Sequence, residues 1–193
     1  MKSRNMKYQV ETRNRFADLL NSLGLIGEAA EIGVFEGEYS QYLLDNWNGT
    51  MLHLVDPWKQ LEDYDDPPIN LSDDVQETRF LGVIERLKHL EARYRIHRKR
   101  SCEAARMFQD YSLDFVYIDA NHDYEHVRED LKTWFPKVSR NGIFAGHDYI
   151  DGNGTTVFGV IQAVNEFAIK HRLEVQTTTA DWPSWFFVLS TTE

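Results

Sequence analysis

The sequence predicts an α/β protein in which a mostly parallel sheet is covered by helices on both faces. Short apolar runs that could form buried strands alternate with longer segments in which apolar residues recur at helical spacing. Several of these runs stop at glycine or at polar residues. Ligands of such sheets bind beyond the carboxyl ends of the strands, so the same pattern predicts where a functional site lies.

A single domain is expected over residues 1–193, with a leading helix within residues 1–24 and the sheet-containing core in residues 29–193. A chain of 193 residues with 42% hydrophobic content is long enough to bury one substantial core. The leading helix is predicted in residues 10–23, because their apolar side chains share one helical face and Gly24 follows as a stop signal.

The core is predicted to begin with a strand, a turn and a helix. Residues 29–34 are an apolar run that breaks into a glycine-containing turn, and helical spacing resumes in residues 39–47. Residues 51–55 form the second strand, which ends before Pro57 because proline cannot continue a hydrogen-bonded ladder. The acidic segment 59–74 is interpreted as an ordered loop or a lid beside the ligand site.

The remaining segments continue the alternation. The further predicted strands comprise residues 94–97, 113–118, 143–146, 173–177 and 185–189, and the last two are expected to form an antiparallel hairpin. The further predicted helices comprise residues 75–93, 101–109, 124–138 and 157–171. A turn at Asn141 and Gly142 is predicted before the strand at 143–146.

Composition excludes several classes of partner. The net charge of -10 and the pI near 5.2 oppose binding to nucleic acid or to anionic lipid, because both need a positive protein surface. Cys102 is the only cysteine, which rules out an intrachain disulfide and a cysteine-based metal cluster. The sequence has neither a long apolar stretch for a membrane span nor the apolar core of a signal peptide in residues 1–10. A cytoplasmic protein with a small-molecule partner is expected.

The turn after the first strand carries the first candidate site residues. Gly33 and Gly37 would let the backbone approach a ligand closely. A dinucleotide fingerprint needs a glycine between them, where Phe35 stands, so NAD and FAD are disfavoured. Glu31 could accept a hydrogen bond from an ammonium group, and Asp56 could accept from both hydroxyls of a ribose. These acceptors suit the two ends of S-adenosylmethionine.

Two residues near this turn have simpler interpretations as well. Asp56 could be a turn residue before a proline, although its place at the end of the second strand favours the ribose contact. Trp58 could cover the ribose or the adenine, or it could pack in the core. The sequence alone does not choose between the two roles of Trp58.

At these residues the sequence resembles the class I S-adenosylmethionine-dependent methyltransferases, whose first motif has the form acidic-x-Gly-x-x-x-Gly and whose second strand ends in an acidic residue. Two later segments are similar to those of small methyltransferases related to the macrocin and novobiocin sugar O-methyltransferases. They are DFVYIDANHDY at 114–124 and GIFAGHDY at 142–149. The likeness extends from Glu31 to about Phe167, and His147 departs from it because the sugar enzymes carry an aspartate there.

The resemblance implies a Rossmann-like sheet of seven strands with an antiparallel last strand. It also implies that Ser101 lies near the edge of the adenine and that the methyl acceptor is a hydroxyl group of a sugar or of another small molecule. Phe35, Ser40 and Asp119 complete the residues assigned to the cofactor.

Polar residues at the ends of two later strands could activate a hydroxyl acceptor. An alkoxide is unfavourable near neutral pH, so the site needs a base or a metal ion. His122 is the candidate base, because the pKa of a histidine lies near neutrality. Asp119, the other candidate catalytic residue, could hold a divalent metal ion together with His147 and Asp148. Oxygen ligands favour magnesium, and the imidazole leaves manganese open.

Other interpretations of these residues stay open. Asp119 and His122 could cap the helix that begins near Tyr124, while His147 and Asp148 could hydrogen-bond their own loop. The protein could bind S-adenosylmethionine without catalysis, or it could be a metal-dependent hydrolase. A hydrolase would leave the acidic and glycine residues of the first turn without a role.

The sequence does not name the acceptor. Its specificity would lie in the segments 59–74 and 151–156 and in the first helix. His126 is predicted to be a surface or packing residue. The oligomeric state is open, and a homodimer would pair through exposed apolar helices or through the final strands.

Overall fold

A computed structural model describes residues 7–64, 69–152 and 158–190 of the protein. Its strands are β1 Glu28–Ile32, β2 Met51–Val55, β3 Tyr94–His97, β4 Leu113–Ile118, β5 Val138–Gly146, β6 Gln176–Thr177 and β7 Trp185–Val188. Its α-helices are α1 Phe16–Ser22, α2 Glu38–Asn46, α3 Asp73–Leu87, α4 Ser101–Ala105, α5 Tyr124–Trp134 and α6 Val160–His171. Short 3-10 segments lie at Arg13–Arg15, Lys88–Arg93 and Phe135–Lys137. No helix of the described residues is long and apolar enough to cross a membrane.

The seven strands form one sheet in the order β3-β2-β1-β4-β5-β7-β6. The pairs formed among strands β1 to β5 are all parallel. Strand β7 runs antiparallel to β5, and β6 runs antiparallel to β7. The predicted α/β class, the mostly parallel seven-stranded sheet and the closing antiparallel hairpin are therefore confirmed.

The sheet is buried on both faces because successive side chains of a strand point to opposite sides. On one face, strand residues such as Leu54 and Phe115 pack against apolar side chains of α1, α2 and α3. On the other face, Val116 and Phe144 pack against α4, α5 and α6. This two-sided burial explains the nearly continuous apolar runs of the central strands.

Several predicted boundaries need correction. The first strand ends at Ile32 and not at residue 34, because Gly33 and Phe35 have left-handed φ values of 85° and 55°. The helix predicted over 75–93 ends at Leu87 and continues as a 3-10 segment. The helix predicted over 124–138 gives way to a 3-10 segment that contains Pro136, which cannot donate a backbone hydrogen bond.

The predicted turn at Asn141 and Gly142 is wrong, because both residues lie within β5. The register between β4 and β5 explains the error. Leu113 is opposite Val138, and Phe115 is opposite Ile143. Between these two pairs β5 has four residues, whereas β4 has one. The extra residues form an irregular bulge that carries a turn-like sequence. The predicted start of the last helix at residue 157 lies outside the described residues.

The strand ends are aligned by backbone hydrogen bonds that continue one residue past the strands. The Gly33 amide donates to the Val55 carbonyl at 2.9 Å, the Asp119 amide donates to Ile32 at 2.7 Å, and the His147 amide donates to Ile118 at 2.9 Å. The glycine turn and the polar residues that follow β4 and β5 are thereby held at one edge of the sheet.

Candidate active site

A cavity of about 580 Å³ lies at this edge, within the size range of small-molecule and cofactor sites. It is lined by residues that follow β1, β2, β4 and β5 and by the start of α4. Of the residues predicted to form the site, those that line the cavity are Glu31, Gly33, Phe35, Asp56, Ser101, Asp119, His122 and Asp148. The structure thus brings the two predicted halves of the site together.

Asp56 fixes the shape of the glycine turn. One of its carboxylate oxygens accepts hydrogen bonds from the backbone amides of Val34 at 2.9 Å and Phe35 at 3.0 Å. The other oxygen accepts from the amide of Trp58 at 2.7 Å. Burial raises the pKa of Asp56, and these three hydrogen bonds oppose that rise. The interpretation of Asp56 as a turn residue therefore agrees with the structure, and the carboxylate lines the cavity as well.

Glycine is required at position 33 by two independent features. Its φ of 85° is left-handed, and an added Cβ atom would lie 2.0 Å from the carbonyl oxygen of Asp119. Gly37 precedes α2 with a φ of 74° and faces Val83 of α3. Gly37 therefore contributes to the shape of the turn on the side that faces α3, and it is not among the residues that line the cavity.

Two predicted cofactor contacts are corrected by burial. Trp58 is 2% exposed, packs against Phe80 and donates to the carbonyl of Phe35 at 3.0 Å, so it belongs to the core. Ser40 is fully buried and donates to a carboxylate oxygen of Glu31 at 2.5 Å. Ser40 therefore positions Glu31 and does not itself line the cavity.

Glu31 is an ionisable group with almost no exposed surface. Burial raises its pKa to about 8, and the hydrogen bond from Ser40 opposes that shift. Because Glu31 still lines the cavity, a cationic group that entered there would favour its ionised form.

The side of the cavity formed by α4 carries a second buried carboxyl group. Ser101 donates to Asp130 and accepts a hydrogen bond from the indole of Trp134 at 2.8 Å. Burial raises the pKa of Asp130 to about 7. His126 also lines the cavity, with its ring 2.6 Å from a carboxylate oxygen of Asp123. His126 is partly exposed, as a surface residue would be, and it lies beside the predicted site residues.

Two histidines meet one carboxylate beyond β4 and β5. The Nε2 atom of His122 lies 2.9 Å from Oδ2 of Asp148, and the Nδ1 atom of His147 lies 2.9 Å from Oδ1. Burial raises the pKa of Asp148, but the hydrogen bonds from His122 and His147 lower it further, so the carboxylate is ionised. Asp148 has a left-handed φ of 55°, which turns its side chain back toward the cavity.

The structure places the predicted metal ligands Asp119, His147 and Asp148 close together and brings His122 to the same two carboxylates. Ligand atoms of Asp119, His122 and Asp148 all lie within 4.8 Å of one another, as they would around one ion. The predicted set contained His147 in place of His122. His147 is 3.8 Å from Asp119, and it is not among the residues that line the cavity.

The alternative in which Asp119 and His122 cap the following helix does not agree with the structure. The N-cap of α5 is Asp123, whose side chain accepts from the amide of His126 at 3.0 Å. Asp119 instead accepts from the side chain of Arg13 at 3.0 Å. Arg13 comes from the segment before α1, and no local pattern in the sequence indicated that it reaches the strand ends.

Comparison with known proteins agrees with this architecture. A family model described as a methyltransferase domain matches residues 30–149. No curated protein sequence matches the chain significantly.

Three solved structures illustrate the likeness of the fold. An O-methyltransferase from Bacillus cereus in complex with SAH has a TM-score of 0.62 and 13% identity, over 91% of this chain and 80% of that one. The O-methyltransferase TomG from Streptomyces achromogenes, in complex with SAM, has a TM-score of 0.61 and 12% identity, over 93% of this chain and 80% of that one. An rRNA methylase from Streptococcus thermophilus has a TM-score of 0.62 and 10% identity, over 91% of this chain and 95% of that one.

At these identities the solved structures establish the fold and not the substrate. The family model covers more than half of the chain, including the glycine turn and the ends of β2, β4 and β5. The chain therefore belongs to the methyltransferase-domain family and has the fold of the class I S-adenosylmethionine-dependent methyltransferases.

Proposed function

We propose that the protein transfers the methyl group of S-adenosylmethionine to a hydroxyl group of a small molecule. The observation that carries this proposal is one cavity lined by two differently equipped groups of residues. The first group is the glycine turn with Glu31 and Asp56, and the second is Asp119, His122 and Asp148. The first group suits a cofactor, and the second can take a proton from an acceptor.

The Asp56 carboxylate is the proposed ribose contact. The two carboxylate oxygens offer about four acceptor sites, and three backbone amides occupy three of them, so capacity for a ribose hydroxyl is left on Oδ1. Because the backbone holds this carboxylate in place, binding costs little side-chain ordering. The Gly33 position lets the backbone approach the cofactor, since a side chain there would clash.

Glu31 and Ser101 are the proposed contacts at the two ends of the cofactor. Glu31 would accept from the ammonium group of the amino-acid end. Ser101 would lie beside the adenine, as the resemblance to other methyltransferases implies, and its hydroxyl is held by Asp130 and Trp134. Both residues line the same cavity as Asp56.

His122 is the proposed general base. In the transfer, the bond from sulfur to the methyl carbon breaks as a bond from the acceptor oxygen to that carbon forms, and the hydroxyl proton passes to the base. Asp148 holds the His122 ring at 2.9 Å and stabilises its protonated form. The ring also lies against Phe158 at a centroid distance of 4.5 Å, which restricts its orientation.

As an alternative to the His122 base, the same cluster fits a divalent metal ion that His122 would help to hold. Asp119 and Asp148 offer carboxylate oxygens and His122 offers an imidazole nitrogen, a donor set that suits magnesium or manganese. A bound ion would lower the pKa of the acceptor hydroxyl. Asp119 contacts Arg13 through one oxygen and keeps the other for an ion.

A small acceptor is favoured over RNA by the charge around the cavity. The acidic residues that line it include Glu36, Glu38, Asp63, Glu103 and Glu129. These groups and the net charge of -10 oppose a polyanionic substrate. Sugars and other neutral hydroxyl compounds meet no such barrier, and they agree with the resemblance to sugar O-methyltransferases.

The proposed function is tested by incubating the protein with S-adenosylmethionine and a set of hydroxyl compounds, with magnesium or with a chelator. Mass spectrometry should detect a product heavier by one methyl group together with one equivalent of S-adenosylhomocysteine. Cofactor binding without S-adenosylhomocysteine formation for any acceptor would favour a non-catalytic module. Unchanged turnover in the presence of the chelator would remove the metal ion from the proposal and leave His122 as the activating group.

A further inference from the structure

Arg13 places a cation at the amino-acid end of the cavity. It lies in the 3-10 segment before α1, and its guanidinium Nη1 atom donates to Oδ2 of Asp119 at 3.0 Å. The guanidinium carbon lies 5.1 Å from the centre of the Tyr39 ring, and the Tyr39 hydroxyl donates to the Arg13 carbonyl at 3.1 Å. Both the backbone and the side chain of Arg13 are therefore held at this end.

The guanidinium keeps donors for a ligand. It carries five N–H donors, and within the described residues Asp119 is the only hydrogen-bond acceptor of the Arg13 side chain. The side chain is 33% exposed and lines the cavity. Burial lowers the pKa of Arg13, but the charge of Asp119 raises it further, so the group stays positive.

The charges around Arg13 limit what it can bind. Among the described residues, the lysine and arginine side chains that line the cavity are Arg13, Lys59 and Arg100. Arg100 is paired with Asp63, and Lys59 follows the second strand on the Asp56 side. Arg13 is the cation whose charge interacts with Glu31 and Asp119. A ligand that presents both an ammonium and a carboxylate group would complement this pair of opposite charges.

We propose that Arg13 binds the carboxylate of the amino-acid group of S-adenosylmethionine, while Glu31 binds its ammonium group. This inference rests on the proposed function. Arg13 would then be a specificity-determining residue that distinguishes the intact cofactor from analogues without the carboxylate. The planar guanidinium suits this role because it can contact two carboxylates at once through different N–H groups.

The test compares two ligands by calorimetry, S-adenosylhomocysteine and its decarboxylated analogue, on the wild-type protein and on Arg13→Gln. The variant should bind S-adenosylhomocysteine about tenfold more weakly or worse, as expected for the loss of a charge-assisted hydrogen bond. Its affinity for the decarboxylated analogue should be unchanged or slightly higher, because that ligand is more cationic. The change in the ratio of the two affinities is the diagnostic quantity.

Arg15→Gln is the matched control. Arg15 belongs to the same 3-10 segment but is exposed and paired with Asp18, so this substitution should leave both affinities unchanged. An equal loss of affinity for both ligands in Arg13→Gln would show that Arg13 only supports the fold and would overturn the inference. Unchanged binding of S-adenosylhomocysteine by Arg13→Gln would overturn it as well. If the wild-type protein bound neither ligand, the proposed function itself would fail.

Discussion

The carboxylates of Asp56 and Asp148 both line the cavity but are held in different ways. Asp56 accepts three hydrogen bonds from backbone amides, whereas Asp148 accepts from the rings of His122 and His147. Backbone donors cannot change their protonation, but imidazoles can. The surroundings of Asp56 therefore suit holding a ligand in a fixed place, and those of Asp148 suit the exchange of protons with one.

The pKa shifts of the two carboxylates go in opposite directions. Burial raises the pKa of Asp56 more than its backbone hydrogen bonds lower it. At Asp148, burial also raises the pKa, but the hydrogen bonds from His122 and His147 outweigh it. Asp148 therefore keeps a negative charge next to two histidines. A change in that charge should affect turnover more than cofactor binding.

The largest expected effect follows from Asp148→Asn. The amide keeps the size of the side chain but loses the charge that stabilises a protonated His122. Methyl transfer should fall about 100-fold or more, within the usual contribution of general acid-base catalysis. The affinity for S-adenosylhomocysteine should change little. The measurement compares turnover with binding in the same variant.

Asp45→Asn is a suitable control for this variant because residue 45 is exposed, lies in α2 and does not line the cavity. It should keep nearly full turnover. If Asp148→Asn also retained full turnover, the contrast between a ligand-holding carboxylate and a proton-exchanging one would be wrong.

A smaller effect is expected on stability from Gly33→Ala. Gly24→Ala provides a matched control, because Gly24 has a similar φ of 70° but no atom within 4 Å of an added Cβ. Both variants bear the cost of a left-handed alanine, about 1–2 kcal/mol. Gly33→Ala should lose roughly 1–3 kcal/mol more, because its Cβ would overlap the Asp119 carbonyl. Denaturant unfolding of both variants measures the difference, and equal losses would show that the turn has room for a side chain.

A pH dependence of the stability is expected from Glu31. Its pKa is about 8 in the folded protein and near 4.5 as the ordinary value. Between these pH values the folded state keeps a proton on Glu31 that the unfolded state has released. The stability of the fold therefore decreases as the pH rises from about 4.5 to about 8. Glu31→Gln removes the titration, so its melting temperature should fall less than that of the wild type over this range.

Glu91→Gln, a substitution at an exposed position of the 3-10 segment after α3, should reproduce the wild-type pH dependence. Thermal melts at several pH values provide the comparison. A wild-type curve parallel to that of Glu31→Gln would mean that the pKa of Glu31 is not raised.

The strands were more predictable than the site. The bounds of β2, β3 and β4 agree with the prediction to the residue, and β2 and β4 are largely apolar runs that end at a polar residue. The number of strands and the antiparallel last strand followed from the resemblance, and the alternation of strands and helices followed from local patterns. Burial on both faces makes such runs nearly continuous, which is the signal that a sequence displays most directly.

Side-chain direction and long-range contacts limited the prediction of the site. Ser40 and Trp58 are close in sequence to residues that line the cavity, but their own side chains are buried in the core. His122 lies in one cluster with Asp119 and Asp148, whereas the prediction placed only His147 beside these two carboxylates. Arg13 is 106 residues from Asp119 along the chain, so only the tertiary structure could reveal their pairing.

The binding of S-adenosylhomocysteine to the wild-type protein and to Asp56→Asn, measured by calorimetry, tests the central claim most directly. We expect saturable binding at one site per chain in the wild type. Asp56→Asn should bind about tenfold more weakly or worse. The substitution alters the carboxylate that accepts hydrogen bonds from the turn amides and that is proposed to accept from the ribose. Absence of binding heat in the wild type at high ligand concentration, or equal affinity in the two proteins, would contradict the proposed cofactor site.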